Sequence, residues 1–151
     1  FIARRLIISA SEDIGMANPT ALVIANEAFT AVERIGMPEG RIILAQCVIY
    51  MATSPKSNAS YAAIARALEE VEASGDLAVP IHLRNAPNAW MKSQGFGKGY
   101  SYDHDAPDHF SGQEFQPEQI AGKRYYEPGS NPKEDAIRLR QRALWKSKYG
   151  Y

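Results

Sequence analysis

The chain has 151 residues, enough for one domain with a sizeable core. Its 17 basic and 17 acidic residues cancel, so the overall charge gives no reason to favour nucleic acid as a partner. The single cysteine excludes a disulfide framework, and no apolar run reaches the ~20 residues that span a bilayer.

Two helical patterns open the chain. The first is predicted from residue 1 to about 13 and stops near Gly15. Because the sequence begins inside this pattern, without a methionine, we expect a fragment of a longer protein. Asn18 and Pro19 are predicted to cap and open the second helix, which Gly36 ends. Its inward stripe is predicted to be Leu22, Ala25, Phe29, Val32 and Ile35.

The third helix is predicted to start at Pro38 and is apolar on nearly every side from residue 41 to 52. A helix of this kind is buried all round, so it is either the central helix or has one face against another subunit. Cys47, among aliphatic neighbours, is predicted to be a buried structural residue. The candidate oligomer interface consists of Ile42, Ile43, Val48 and Ile49.

A fourth helix is predicted to begin after Ser57 or Asn58 and to close at Gly75, which can adopt the left-handed backbone of a helix end. Four such helices indicate an all-α fold. The inward stripe of the fourth helix is predicted to be Tyr61, Ile64, Ala65, Leu68 and Val71.

Residues 79–110 break the helical pattern with glycine, proline and charged residues. An irregular segment of this length is uncommon unless it is functional or disordered. Its five aromatic residues argue against disorder, so we predict an ordered surface with one short helix at 87–94. A final, mostly polar helix is predicted from about 132 to 148, at the periphery.

These elements predict the following organisation. Residues 1–130 form a compact helical domain, with a four-helix core at 1–75 and the irregular segment with its short helix at 76–130. Residues 131–151 form a C-terminal helix and tail.

Asp103, His104, Asp105, Asp108 and His109 form the best metal candidate, since imidazole and carboxylate groups are metal ligands. Their spacing matches no zinc motif, and charged turn residues explain the cluster as well. A metal-dependent enzyme that uses His104 and His109 is therefore only a second alternative, and we predict no metal site.

Residues 95–100, GFGKGY, lack the order of a phosphate-binding loop, and no strand precedes them. We therefore predict no nucleotide or cofactor site in these 151 residues, and no catalytic residue is identified.

Basic and aromatic residues remain as a possible interface. Cations near stacking rings are typical of nucleic-acid surfaces, although such cations also simply solvate loops. The candidate DNA or partner contacts are Lys56, His82, Arg84, Lys92, Lys98, Tyr100, Lys123 and Arg124.

Several strings together resemble the C-terminal region of the RarA (MgsA) family of AAA+ ATPases, related to Werner-helicase-interacting protein. The resemblance runs in order over residues 1–130 and rests on ARRLIISASEDIGMANP, RIGMPEGRIILAQCVIYMATSPKSNASY, VPIHLRNAP, GFGKGYSYDHD and RYYEP.

The resemblance implies a helical domain like the C-terminal domain of clamp loaders, which assembles the protein into homotetramers. It also implies a separate ATPase module that binds ATP and Mg²⁺, and bacterial cytoplasmic action in DNA replication, recombination and repair at stalled forks. The implied partners are forked DNA, single-strand/duplex junctions and single-strand-binding protein, and no membrane.

We therefore predict an oligomerisation domain that is not itself an enzyme. The first alternative is a DNA-binding or partner-docking module of the same protein.

Overall fold

The computed structural model describes residues 1–146 and 148–150. In this part of the chain the regular structure is helical throughout, which confirms the all-α prediction. The α-helices are α1 (Ile2–Ser9), α2 (Thr20–Ile35), α3 (Gly40–Thr53), α4 (Ala59–Ser74), α5 (Ala89–Ser93) and α6 (Pro132–Trp145). No helix among the described residues is both long and apolar enough to cross a bilayer.

The chain forms two compact units. The first contains residues 1–69 and 125–139, and the second contains residues 70–124 and the chain from residue 140 onward. The predicted domain boundary at residue 130 stays a prediction.

The core of the first unit is built mainly from alanine. Helix α2 packs against both α1 and α3. Of the ten buried hydrophobic residues in the described chain, seven are alanines; the others are Ile14, Cys47 and Met51. Burial of Cys47 is confirmed, and it raises the pKa of the thiol. Small side chains let the helices approach closely, but each buries little apolar area.

The turn after α1 positions the loop that precedes α4. Residues Ala10–Ile14 form a π-helical turn, and Gly15 ends it with φ of +48°. The carbonyl of Asp13 accepts a hydrogen bond from the amide of Ser57 at 2.8 Å. A Cβ at position 15 would lie 2.8 Å from the carbonyl oxygen of Ser57, so only glycine allows this approach.

The predicted helix cap at Asn18 is wrong. Its side chain makes no cap bond to α2; the amide nitrogen donates to the Tyr50 hydroxyl and to the Ser54 hydroxyl, both at 3.0 Å. Because Tyr50 and Ser54 lie at the end of α3, Asn18 joins the start of α2 to the end of its neighbour.

The predicted inward stripes of α2 and α4 are also largely wrong. In α2 the alanines at 21, 25 and 28 are buried, whereas Leu22, Phe29 and Ile35 are exposed. In α4 only Ala59 is buried, and Tyr61, Ile64, Leu68 and Val71 are each more than half exposed. In α2 the alanines face the core together with Ile24, which packs against it, and this places Leu22 and Phe29 on the solvent side.

A buried carboxylate anchors the first turn of α6 in the first unit. Glu134 is completely buried and accepts hydrogen bonds from the Tyr126 hydroxyl at 2.8 Å and the Asn131 amide at 2.5 Å. Ser57 donates a further bond. Burial alone would raise the pKa of Glu134, but bonds from Ser57, Asn131 and Tyr126 outweigh it and lower the pKa. The same burial raises the pKa of Tyr126.

In the second unit, the irregular segment is ordered by short turns and aromatic packing. Asn88 caps α5 by accepting a bond from the amide of Met91 at 2.9 Å. The rings of Phe110, Trp145 and Tyr149 pack edge to face, with centroids 4.6 and 4.7 Å apart. Ring packing thus anchors Phe110 of the irregular segment, which agrees with the prediction that aromatic residues keep this segment ordered.

Candidate functional site

The exposed face of α3 matches most of the predicted oligomer interface. Ile42 is 61% exposed and Ile49 is 65% exposed, and Val48 also reaches the surface. Ile43 instead packs against the buried core. The apolar circumference of α3 is therefore divided between the core and a face that solvent reaches. Its role as an interface stays a prediction.

A second apolar surface, the α4 face, was missed because its residues were assigned to the core. We define it as Tyr61, Ile64 and Leu68. It borders a groove of about 510 Å³ lined by Ile7, Ile8, Ser11, Glu12, Ser60, Tyr61 and Ile64.

Three of the predicted basic and aromatic contacts converge in the second unit. His82, Arg84 and Tyr100 line a cavity of about 330 Å³, together with Leu83, Asn85, Ala86 and Gly97. The amide of Gly97 donates to the carbonyl of Ile81 at 3.0 Å and so holds the two segments of the wall together. We call this cavity the basic pocket.

Arg84 is held in place without a carboxylate. Its Nε donates to the carbonyl of Val79 at 2.6 Å, and its guanidinium lies 5.4 Å from the centroid of the Phe96 ring. No ion pair with Arg84 occurs among residues 1–146 and 148–150. A fixed guanidinium with its charge uncompensated is suited to binding an anion.

His82 is oriented by a backbone carbonyl. Its Nε2 lies 2.8 Å from the carbonyl oxygen of Glu114, a geometry that requires the proton on Nε2. In the neutral ring Nδ1 is then an acceptor, and protonation makes it a second donor.

The remaining candidate contact residues differ in their exposure and in their hydrogen-bond and ion-pair partners. Lys92 and Lys98 are exposed, whereas Lys123 forms an ion pair with Glu70 at 2.5 Å. Arg124 donates to the carbonyl of Gly150 at 3.1 Å. Lys56, in the first unit, donates to the carbonyl of Met51 at 3.1 Å and so satisfies a carbonyl in the last turn of α3.

The acidic and histidine loop has its own internal partners. Asp103 accepts bonds from the amide and hydroxyl of Ser111, which lower its pKa, and the rings of His104 and His109 pack 5.2 Å apart. No group of three or more potential metal ligands comes together in the described part of the chain. The geometry therefore gives the metal-enzyme alternative no support.

Comparison with known proteins identifies the family. A family model described as "MgsA AAA+ ATPase C terminal" matches residues 1–145. Replication-associated recombination protein A of Coxiella burnetii is 49% identical over 129 residues, covering 85% of this chain and 29% of that protein. The protein of the same name from Escherichia coli K12 is 41% identical over 138 residues, covering 91% of this chain and 31% of that protein.

A eukaryotic relative, ATPase WRNIP1 of Dictyostelium discoideum, is 41% identical over 128 residues, covering 84% of this chain and 15% of that protein. The chain spans less than a third of the length of these three relatives. The match to the family model over nearly the whole chain is decisive: this chain belongs to the MgsA AAA+ ATPase C-terminal family.

Proposed function

We propose that this chain is the assembly domain of an AAA+ ATPase that acts in replication-associated recombination, and that it joins copies of the protein into a homotetramer. Two relatives are named for replication-associated recombination, which supports the process. The sequence contains no phosphate-binding loop pattern, so we place ATP and Mg²⁺ in a separate ATPase module. By resemblance, the protein works at replication forks in the bacterial cytoplasm with single-strand-binding protein.

The observation that carries this proposal is the distribution of apolar side chains. The buried core consists mostly of alanine, while Ile42, Val48 and Ile49 of α3 and Ile64, Leu68 and Val71 of α4 are exposed. Burying one large aliphatic side chain contributes about 1.5–3 kcal/mol of stability. In a single copy the exposed side chains do not make this contribution. Closed homo-oligomers bury such faces against identical copies.

The assembly prediction is tested by the mass of the 151-residue chain in solution. Light scattering at micromolar concentration should give about four times the 16.7 kDa chain mass. Ile42→Asp combined with Ile49→Asp should lower this mass because it places charges on the exposed face of α3. The substitution Gln119→Asp, at an exposed position, adds one such charge elsewhere and should leave the mass unchanged. A monomeric wild-type chain across this range would refute the proposal.

The basic pocket favours a second candidate function, which is contact with nucleic acid. The guanidinium of Arg84, which forms no ion pair within the described part of the chain, suits a phosphate, and the half-exposed ring of Tyr100 suits stacking on a base. The zero net charge of the chain limits the affinity that this surface can supply alone.

This second function predicts a loss of salt-dependent binding. Arg84→Gln with Lys98→Gln should weaken binding of a forked DNA and reduce the slope of log K against log salt by up to about 2 units. Lys133→Gln, an exposed lysine of the first unit, is the matched control and should change the slope little. Equal slopes for the wild type and the double variant would show that Arg84 and Lys98 do not contact phosphate.

A further inference from the structure

The basic pocket gathers polar groups that have no partner in the described part of the chain. Nε of Arg84 donates to the carbonyl of Val79, but the two terminal nitrogens of the guanidinium form no hydrogen bond or ion pair within the described residues. The same holds there for the side-chain amide of Asn85 and the hydroxyl of Tyr100. A concave site with a few convergent polar groups is the usual form of a small-ligand site.

His82 adds a group to this cavity that can share a proton. Its Nε2 is occupied by the carbonyl of Glu114 at 2.8 Å, so Nδ1 is the ring nitrogen that remains for a ligand. The carboxylate of Glu114 forms its ion pair with Lys148, at 3.5 Å, and accepts the hydroxyl of Tyr149 at 2.8 Å. This carboxylate therefore binds the end of the chain and does not compensate the charge of Arg84.

Backbone hydrogen bonds hold the walls of the pocket in place before any ligand binds. The carbonyl of Ile81 accepts from the amide of Arg84 at 3.2 Å and from the amide of Gly97 at 3.0 Å. The Arg84 side chain is fixed further by the carbonyl of Val79 and by the Phe96 ring, 5.4 Å from its guanidinium. A preformed site binds more tightly because less conformational entropy is lost on binding.

We propose that the basic pocket binds a terminal phosphate group, a phosphate monoester, in preference to the phosphodiester inside a nucleic-acid strand. This inference rests on the nucleic-acid contact proposed above where the monoester is the end of a strand, and it makes that contact specific to the end. A free sugar phosphate carries the same group and would use the same donors. The volume of about 330 Å³ lies at the lower end of the range for small-molecule pockets, which suits one phosphate and its sugar.

The charge of the site matches a monoester better than a diester. A monoester carries about −1.5 to −2 charges at pH 7, with a second pKa of about 6. Arg84 and the exposed Lys98, which precedes Tyr100 by two residues, supply positive charge, and the described residues that line the pocket include no acidic side chain. Nδ1 of His82 can accept the proton of the monoanion or donate one to the dianion. A diester has no such proton to share.

The test compares strands that differ only in a terminal phosphate. An internally labelled single strand is prepared with a phosphate at the 5′ end, at the 3′ end or at neither, and its binding to the 151-residue chain is measured by fluorescence anisotropy. At least one phosphorylated strand should bind about 10-fold more tightly, because a charge-assisted, bidentate pair with a guanidinium is a strong hydrogen bond. Ribose 5-phosphate, but not ribose, should displace that strand and shift the amide NMR signals of Gly97 and Tyr100.

Variants place the effect in the pocket. Arg84→Gln should abolish the preference for the phosphorylated strand, and Arg84→Lys should restore only part of it because lysine keeps the charge but not the planar fork. His82→Gln keeps a donor for the Glu114 carbonyl but has no titrating nitrogen, so it should reduce the preference and leave binding of the unphosphorylated strand unchanged. Lys133→Gln is the control, and circular dichroism checks the fold of each variant.

The outcomes separate this inference from the proposed functions. Equal affinity for phosphorylated and unphosphorylated strands would refute the monoester site, and nucleic-acid contact would still stand if Arg84→Gln weakened both. Binding of ribose 5-phosphate without binding of any strand would support the monoester site and remove nucleic acid as its source. If neither a strand end nor the sugar phosphate shifts the Gly97 signal, the inference is wrong. The mass of the chain in solution tests assembly separately.

Discussion

Replacing Glu134 with alanine is expected to lower the free energy of unfolding by about 3 kcal/mol or more. The carboxylate is completely buried and accepts bonds from Ser57, Asn131 and Tyr126. Its removal leaves these donors without an acceptor inside the protein, and each unsatisfied buried group costs about 1–3 kcal/mol. Urea denaturation followed by circular dichroism measures the change. Glu33→Ala, at an exposed site on α2, should stay within about 0.5 kcal/mol of wild type.

The same carboxylate predicts a pH dependence. Burial raises the pKa of Glu134, but the bonds from Ser57, Asn131 and Tyr126 dominate, so the folded-state pKa lies below the usual value. Its stabilising contribution is therefore complete above the unfolded-state pKa of about 4.3 and is lost as the pH falls through the folded-state pKa. Glu134→Gln removes the titrating carboxylate, so the free energy of unfolding of this variant should fall less steeply as the pH decreases. An acid denaturation profile identical to that of the wild type would contradict the assignment.

Replacing Gly15 with alanine is expected to cost about 3 kcal/mol, for two separate reasons. The backbone at Gly15 has φ of +48° and ψ of −131°, a conformation that is strained for residues with a Cβ. The new Cβ would also lie 2.8 Å from the carbonyl oxygen of Ser57. That carbonyl belongs to backbone held by the Ser57–Asp13 hydrogen bond, so it cannot move away at low cost. The midpoint of thermal unfolding is the measurement.

Gly36 provides the matched control for this contact. It also has positive φ, at +75°, but a Cβ there would meet nothing within 4 Å. Gly36→Ala should therefore show the backbone cost alone, about 1–3 kcal/mol. If Gly15→Ala and Gly36→Ala lower the free energy of unfolding equally, the contact with Ser57 adds nothing to the cost at position 15.

Much of the helical organisation was predictable because its signals are local. The ends of α3 and α4, the helical turn at α5 and the start of α6 agree with the predicted positions to within a few residues. Gly15, Gly36 and Gly75 end their helices with positive φ, as glycine allows. The family was also identifiable from short residue strings, because matching them requires only the order of the amino acids and not the tertiary structure.

The candidate sites were predictable only in part. The sequence grouped His82, Arg84 and Tyr100 by residue type, and they line one pocket. It gave no indication that Lys123 pairs with Glu70 or that Arg124 binds the carbonyl of Gly150, because these partners are 53 and 26 residues distant. The roles of all these residues in DNA or partner contact stay predictions.

The sequence by itself determined that the chain is helical, where its helices end and which family it belongs to. Only the tertiary structure decided which side of each helix is buried. Periodicity assigned Leu22, Ile64 and Leu68 to the core, since in most monomers large apolar residues face inward. Helix α2 approaches α1 and α3 closely enough that alanine fills the space between them, and Leu22 is left outside. In α4 only Ala59 is buried, so Ile64 and Leu68 are left on its exposed surface. The distance between two helices depends on how they pack against each other, and the sequence of one helix alone does not determine it.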